Sequence, residues 1–248
     1  MKTGPIDLNC DLGEGYPNDE ALMPLVSSAN IACGFHAGDS GTMRRTVDWA
    51  LMHNAAIGVH PGFDDKRNFG REELRLPQQA YYDLVWSQME SLETIARAAG
   101  AVLHHVKPHG ALYNMAARDA ELAHTIAHAV LDFNPQLILY GLSGSQLIEQ
   151  ARFLGLATAC EVFADRTYQP DGSLTPRSRP DALIRDPDRC LRQLLQMVLR
   201  QTVTATDGKT IPIRTETICL HGDGAHALEF ARLVRTVLAE KGIPVQAP

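Results

Sequence analysis

The sequence predicts an α/β protein built as a barrel of seven parallel strands, and three observations predict it. Short apolar runs alternate with amphipathic stretches along all 248 residues, which is the pattern of repeated strand–helix units. The runs are brief and nearly all apolar, as strands covered on both faces should be. Polar residues gather where the runs end and not where they begin, and in a parallel barrel those ends share one face, the one on which active sites are built. With 45% hydrophobic residues the chain can bury one large core. Barrels of about 250 residues commonly form one domain, so residues 1–248 are read as a single unit.

Taken in order, the strand candidates are Ile6–Asn9, Asn30–Cys33, Ala56–Val59, Ala101–Val106, Gln136–Tyr140, Ala157–Val162 and Thr217–Leu220. The first ends in Asn9-Cys10-Asp11-Leu12-Gly13-Glu14 and the second in Cys33-Gly34-Phe35-His36-Ala37-Gly38-Asp39. The third ends in His60-Pro61-Gly62 and the fourth in Lys107-Pro108-His109-Gly110. The sixth runs through Glu161 to Asp165-Arg166, and the seventh ends in His221-Gly222-Asp223-Gly224. Between strands three and four, Pro77 and Gly100 bracket a helix whose apolar stripe is Leu84, Val85, Met89, Leu92, Ile95, Ala96 and Ala99. Asp186-Pro187 opens another, in which Leu191, Leu194, Leu195, Val198 and Leu199 follow helical spacing. Two stretches break the rhythm: Asp64–Arg75, with eight charged residues in twelve, and Arg166–Ile184, rich in Pro, Arg, Ser and Asp. Each follows a strand and is expected on the catalytic rim or, for the first with equal weight, as a solvated loop.

Composition excludes several classes. A net charge of −6 opposes a broad nucleic-acid footprint, which needs a basic face. No run approaches the ~18 apolar residues of a membrane span, and Met1–Pro5 leads into a polar strand end with no signal-peptide stretch. Five cysteines, widely spaced and never in a CxxC pair, fit a reducing cytoplasm, where the protein is expected.

Four histidines at four strand ends (His36, His60, His109, His221) are hard to explain by packing, although any one of them alone would be easy. His124 and His128 lie inside a helical stretch with Thr125 where an HExxH motif needs Glu, so they are read as structural or surface residues. A face of Asp, Glu, His and Lys suits metal-assisted hydrolysis, metal-free acid–base work with Asp11 or Asp165 beside a His, or phosphoryl chemistry with Lys107 and Arg166 as a clamp. A nucleophilic Cys10 or Cys33 is disfavoured, because buried thiols are usually inert. No P-loop and no GxGxxG after a strand is present.

The same strand ends resemble the LamB/YcsF family, to which the first component of the bacterial ATP-dependent 5-oxoprolinase, its A subunit, belongs. The matching blocks are Asp7–Glu14, Asn30–Asp39, Val106–Asn114 and Glu161–Arg166, with shorter matches at His60-Pro61, Phe69-Gly70-Arg71 and Leu220–Asp223. The resemblance implies a seven-stranded barrel related to the glycoside hydrolase and deacetylase superfamily. It also implies opening of 5-oxo-L-proline to L-glutamate with ATP, carrying Mg2+, split to ADP and phosphate, together with subunits B and C. A five-membered lactam is a stable amide, so its opening needs activation of the carbonyl oxygen or strong transition-state stabilisation. The chain departs from the family pattern at Gly224-Ala225 after His221-Gly222-Asp223 and at Gly62-Phe63-Asp64-Asp65 after His60-Pro61, which bears on loop geometry and leaves another cyclic amide open.

On this reading Asp11, His60, Lys107, His109, Asp165 and His221 carry the chemistry. Asn9, Glu14, Asn30, His36, Asp39, Glu161, Arg166 and Asp223 hold substrate. Asp11, His60, His109 and His221 are the candidates for a divalent metal. Competing readings are a metal-dependent amidase or deacetylase acting alone and a non-catalytic lactam-binding component. Assembly as a homo-oligomer is left open.

Overall fold

The molecule, a computed structural model that describes residues 4–220 and 227–248, takes its plan from alternation along the first strand. In β1 (Asp7–Leu12), Asp7, Asn9 and Asp11 share one face and Leu8, Cys10 and Leu12 the other. β2 (Ser28–Ala32), β3 (Ala56–His60), β4 (His105–Val106), β5 (Ile138–Leu142), β6 (Thr158–Phe163) and, later in the chain, β9 (Thr217–Leu220) pair in parallel into a closed barrel of order β1-β2-β3-β4-β5-β6-β9. The seven expected units are all present. Closure leaves no strand edge exposed, so every strand is covered by helix on one side and by the barrel interior on the other.

The two faces differ in chemistry. Outward residues such as Leu8, Leu12, Ile31, Val59, Leu139 and Ile218 are fully or almost fully buried against the helices and form one apolar shell. The interior, which most α/β barrels fill with branched aliphatics, instead holds buried Asp7, Asn9, Ser28, Asn30, His105, Lys107, Glu161 and Thr217. Such groups persist in a core only when hydrogen-bonded to one another.

Helix boundaries follow local signals. α1 (Asp19–Leu22) is a single turn, and α2 (Ser40–His53) begins where the Asp39 carboxylate accepts from Thr42 N and ends at Asn54 in the left-handed region. α3 (Gln78–Ala98) buries Val85, Met89, Leu92, Ile95 and Ala96, whereas Ala99 ends exposed beyond its last turn. α4 (Gly110–Arg118), α5 (Ala120–Phe133) and α6 (Gln146–Phe153) follow β4 and β5. α7 (Pro187–Arg200) is capped by Asp186, as expected, and buries Leu194, Met197 and Val198; Leu199 stays 49% exposed. α8 (Ala227–Glu240) closes the shell with Val234 and Leu238.

Two features differ from expectation. The fourth strand, expected over Ala101–Val106, is regular only at His105–Val106. An antiparallel hairpin of β7 (Thr202–Thr204) and β8 (Thr210–Pro212) intervenes before β9, too short and polar to show a strand pattern. Among the described residues no helix is long and apolar enough to cross a membrane. His124 and His128 lie on α5, beside Gln150 and Asp132, away from the barrel mouth, and all five cysteines are buried free thiols.

Candidate active site

Short side chains at successive strand ends converge because parallel strands end together. Glu14 follows β1, His36 follows β2, His60 ends β3, and His109 is the N-cap residue of α4 just past β4. One ligand atom from each lies within 4.8 Å of all the others. Glu14 Oε1 is 3.3 Å from His36 Nε2, 3.3 Å from His109 Nδ1 and 3.8 Å from His60 Nε2. The His36 and His109 rings stack 3.8 Å apart, nearly parallel.

Backbone carbonyls decide which nitrogens face the cluster. His60 turns Nδ1 to the Lys107 carbonyl at 2.7 Å, and His109 turns Nε2 to the Phe69 carbonyl at 2.9 Å. A carbonyl only accepts, so those nitrogens carry the protons. What remains is His60 Nε2 facing His109 Nδ1 at 2.9 Å, two lone pairs with Glu14 beside them. Burial pushes His109 and His36 far below the usual imidazole range, aided by neighbouring histidines, which keeps both rings neutral. His36 Nδ1 is buried without a hydrogen-bond partner. Facing lone pairs and a carboxylate repel one another unless a cation sits among them, and three imidazoles with one carboxylate form a donor set for a divalent transition metal.

The loop after β3 makes this arrangement possible. Phe69 adopts φ +56, rare for an aromatic residue, and so turns its carbonyl onto His109 while its ring packs at the edges of His36 and His109. A Cβ on Gly70 would lie 2.8 Å from His36 Cβ, and one on Gly110 would lie 2.7 Å from the Gly70 carbonyl, so both must be glycine for the loop to close. The charged stretch 64–75 is therefore part of the site, with Arg71 and Glu73 lining the cleft.

Below the cluster lies a second, ionic layer. Lys107 Nζ is 2.8 Å from Asp11 Oδ1, 2.9 Å from Glu161 Oε1, 3.1 Å from Asn9 Oδ1 and 3.1 Å from Cys219 Sγ. Burial opposes the charge on Lys107, but the carboxylates of Asp11 and Glu161 outweigh it and hold the ammonium well above its usual range. Asn30 donates to Asn9 Oδ1 at 2.7 Å and to Asp11 Oδ1 at 2.8 Å. Asp11 Oδ2 is left 3.4 Å from His60 Nε2, so Asp11 joins the two layers. Cys10, Cys33 and Cys219 are pushed upward by burial, which leaves no thiolate for nucleophilic chemistry.

The cluster opens into a cleft of about 1500 Å³ whose walls include Asp11, Glu14, His60, Lys107, His109 and Tyr113. Its outer part is lined by Arg71, Arg118, Arg152, Arg166, Arg177, Arg179 and Arg214. The Pro/Arg-rich stretch supplies residues 169–179 of that wall. Arg166, pushed down to about 10 by burial and by Arg177, donates to the Thr175 carbonyl at 2.7 Å and anchors the loop from beneath.

Several expectations are thereby corrected. Asp39 is exposed and spends its carboxylate capping α2, because the chain turns into that helix before reaching the mouth. Asp165 lies two residues past the end of β6, at the start of the 166–184 loop, with its Oδ1 buried. Among the described residues the cluster that could hold a metal is Glu14, His36, His60 and His109; Asp11 is engaged by Lys107 and Asn30 instead. His221 and Asp223 lie outside the described residues. His105, Tyr113, Phe69, Cys219 and Asp7 join the site or its floor without having been given a site role from the sequence, although Asp7, Phe69 and Tyr113 fall inside the matching blocks. Period-two spacing with Lys107 and with Asn9 is the signal that could have drawn attention to His105 and Asp7.

The LamB/YcsF family model matches residues 6–248. The A subunit of 5-oxoprolinase from Brevibacillus brevis is 52% identical over 252 aligned residues, covering 100% of this chain and 98% of that protein. The corresponding A subunit from Bordetella parapertussis is 54% identical, with 98% of each covered. The crystal structure of a lactam utilization protein from Thermus thermophilus superposes with a TM-score of 0.91 at 44% identity, covering 98% of this chain and 100% of that one. The catalytic domain of a peptidoglycan N-acetylglucosamine deacetylase from Eubacterium rectale shares the fold at a TM-score of 0.55 and 9% identity, over 100% of this chain and 89% of that one.

Proposed function

The chain belongs to the LamB/YcsF family, and from that membership and the geometry of the cleft we propose that it serves as the A subunit of a 5-oxoprolinase, a hydrolase that opens 5-oxo-L-proline to L-glutamate. The observation that carries the chemistry is the pair of bare imidazole nitrogens, His60 Nε2 and His109 Nδ1, facing each other at 2.9 Å beside Glu14.

Glu14, His36, His60 and His109 would hold a divalent metal. When bound there, such an ion supplies Lewis-acid polarisation and a water of lowered pKa. Asp11 is the candidate base. Its Oδ1 is held by Lys107 and Asn30, and its Oδ2 points to the cluster side at His60. Lys107, kept cationic between Asp11 and Glu161, fixes the Asp11 carboxylate from beneath. His60 and His109 keep their tautomers through the carbonyls of Lys107 and Phe69, so both present lone pairs without reorganisation. The cleft arginines draw in an anionic substrate, and Arg166 holds the loop that shields it.

ATP coupling is assigned to the assembly with subunits B and C, ATP and Mg2+ being used there to activate the lactam oxygen. The chain carries no P-loop sequence. Its cleft of about 1500 Å³ exceeds the ~300–1,000 Å³ of ordinary small-molecule sites, which suits a mouth that partner subunits complete.

The test is to follow 5-oxoproline-dependent release of ADP and glutamate by the chain alone and with candidate B and C subunits. Both products from the mixture only are expected. Amide hydrolysis by the chain alone without ATP would instead favour the solitary metal-dependent amidase, which the Glu14/His36/His60/His109 cluster also suits.

A further inference from the structure

Beneath the proposed site lies a buried titratable group that the proposed reaction does not use. His105, on β4, is fully buried in the barrel interior, outside the metal cluster. Its Nε2 lies 2.7 Å from Asn30 Oδ1, although Asn30 belongs to β2 and β3 runs between them. The register explains the reach. Asn30 pairs with Gly58 and Gly58 pairs with His105, so the three form one row across the sheet. A Cβ on Gly58 would fall 2.0 Å from His105 Nε2, so the imidazole occupies the space that any other residue at position 58 would fill.

The direction of each hydrogen bond in this row follows from the one before it. Burial pushes His105 far below the usual imidazole range, so the ring is neutral and carries a single N–H. Its Nδ1 faces His104 Nδ1 at 3.2 Å, and its ring stacks on Tyr140 at 4.2 Å. Asn30 uses both amide hydrogens, on Asn9 Oδ1 and Asp11 Oδ1, and therefore turns its oxygen to His105. Asn9, accepting from Asn30, is left to donate to Glu161 Oε1 at 2.9 Å and Thr217 Oγ1 at 2.6 Å. Thr217 then donates to Asp7 Oδ2 at 2.6 Å. Had Asn30 the opposite orientation, its oxygen would face two acceptors, Asp11 Oδ1 and Asn9 Oδ1. Lys107 could not relieve them, since its three protons already serve four acceptor atoms.

We propose that His105 is a positioning residue: its Nε2–H anchors the Asn30 amide oxygen, and Asn30, so held, keeps Asp11 Oδ1 in place with Oδ2 facing the metal cluster. The role of Asp11 rests on the function proposed above. His105 touches no substrate. A misplacement of the order of 1 Å in a reactive group costs up to ~100-fold in rate, which is the scale on which such a residue acts.

The experiment has two arms. In the assembled complex, His105→Leu removes the donor, and His105→Gln restores an amide N–H at nearly the position of Nε2. His105→Leu is expected to lower kcat by about 10- to 100-fold with KM changed by less than about threefold and bound metal unchanged. His105→Gln recovers most of the rate. In the His105→Leu/Asn30→Ala double variant the loss should not exceed that of Asn30→Ala alone, because both act through one contact. Independent, multiplying losses would overturn the proposal, as would a folded, metal-loaded His105→Gln no faster than His105→Leu. The second arm needs neither activity nor a variant: the nitrogen-15 spectrum of His105 in the wild-type chain should show an Nε2–H tautomer, and an Nδ1–H tautomer overturns the proposal outright. If the wild-type complex leaves 5-oxoproline untouched, the functional reading fails while the tautomer still judges the role of His105.

Discussion

At the scale of single residues, function turns on which atom of a side chain keeps a proton. His109 is neutral, held by the Phe69 carbonyl, and offers Nδ1 to the cluster. His109→Ala should therefore cut the affinity for a divalent ion by at least about 10- to 100-fold, measured as metal content after dialysis, and abolish turnover with it. Unchanged metal content would place the ion elsewhere. Asp19 offers a different test. It accepts from Gly13 N at 2.9 Å, its Oδ1 is buried without a partner, and burial raises it to about 6 against that one hydrogen bond. A carboxyl raised on folding contributes stability that is complete below its unfolded value near 3.8 and lost as pH rises through about 6. Asp19→Asn should thus gain thermal stability over wild type at pH 8, with the gain shrinking toward pH 5. A difference independent of pH would mean that folding does not raise the Asp19 carboxyl. Glu14, His36, His60 and His109 were legible as polar strand ends, whereas Asp19, in the first turn of α1, was not. The division of labour among the strand ends was not legible either, since Glu14 and His36, rather than Asp11, complete the cluster that could hold a metal only through distances across different strands.

Among elements, the loops after the strands matter more than the strands themselves. Asp39 caps α2, so Asp39→Ala should lower Tm by roughly 2–4 °C, with kcat within about twofold of wild type. A large loss of kcat at unchanged Tm would return Asp39 to the site. Gly110→Ala should do the opposite: its Cβ would press on the Gly70 carbonyl at a position of φ +52 and lift the Phe69–Arg71 turn off His109. Metal content should fall by more than about tenfold as the second carbonyl contact is lost, with the barrel still folded. Helix starts at Asp186 and stops near Gly100 could be seen in advance because caps are local chemistry. The shape of the 64–75 loop could not, because its charges suggest solvent while its one aromatic near the turn, Phe69, is drawn inward by two histidines from other strands.

For the whole molecule, the balance of charge is uneven. A chain of net charge −6 nevertheless places six exposed arginines, Arg71, Arg118, Arg152, Arg177, Arg179 and Arg214, along its cleft, besides the buried Arg166. In the assembled complex KM for the anionic lactam should rise several-fold between about 0.02 and 0.2 M salt, where the screening length shortens to below ~10 Å, with kcat nearly unchanged. A salt-independent KM would remove the arginines from substrate capture. The seven-unit barrel, its polar rim and the segment order were determined by the sequence alone, because alternation, caps and strand-end polarity act over a few neighbouring residues. Only the tertiary structure decided that the interior would be polar rather than aliphatic, that Glu14 would join three histidines, and that Gly58 would make way for His105. Each of these depends on side chains from separate strands meeting within about 3 Å, and closure of the barrel, not spacing along the chain, sets those distances.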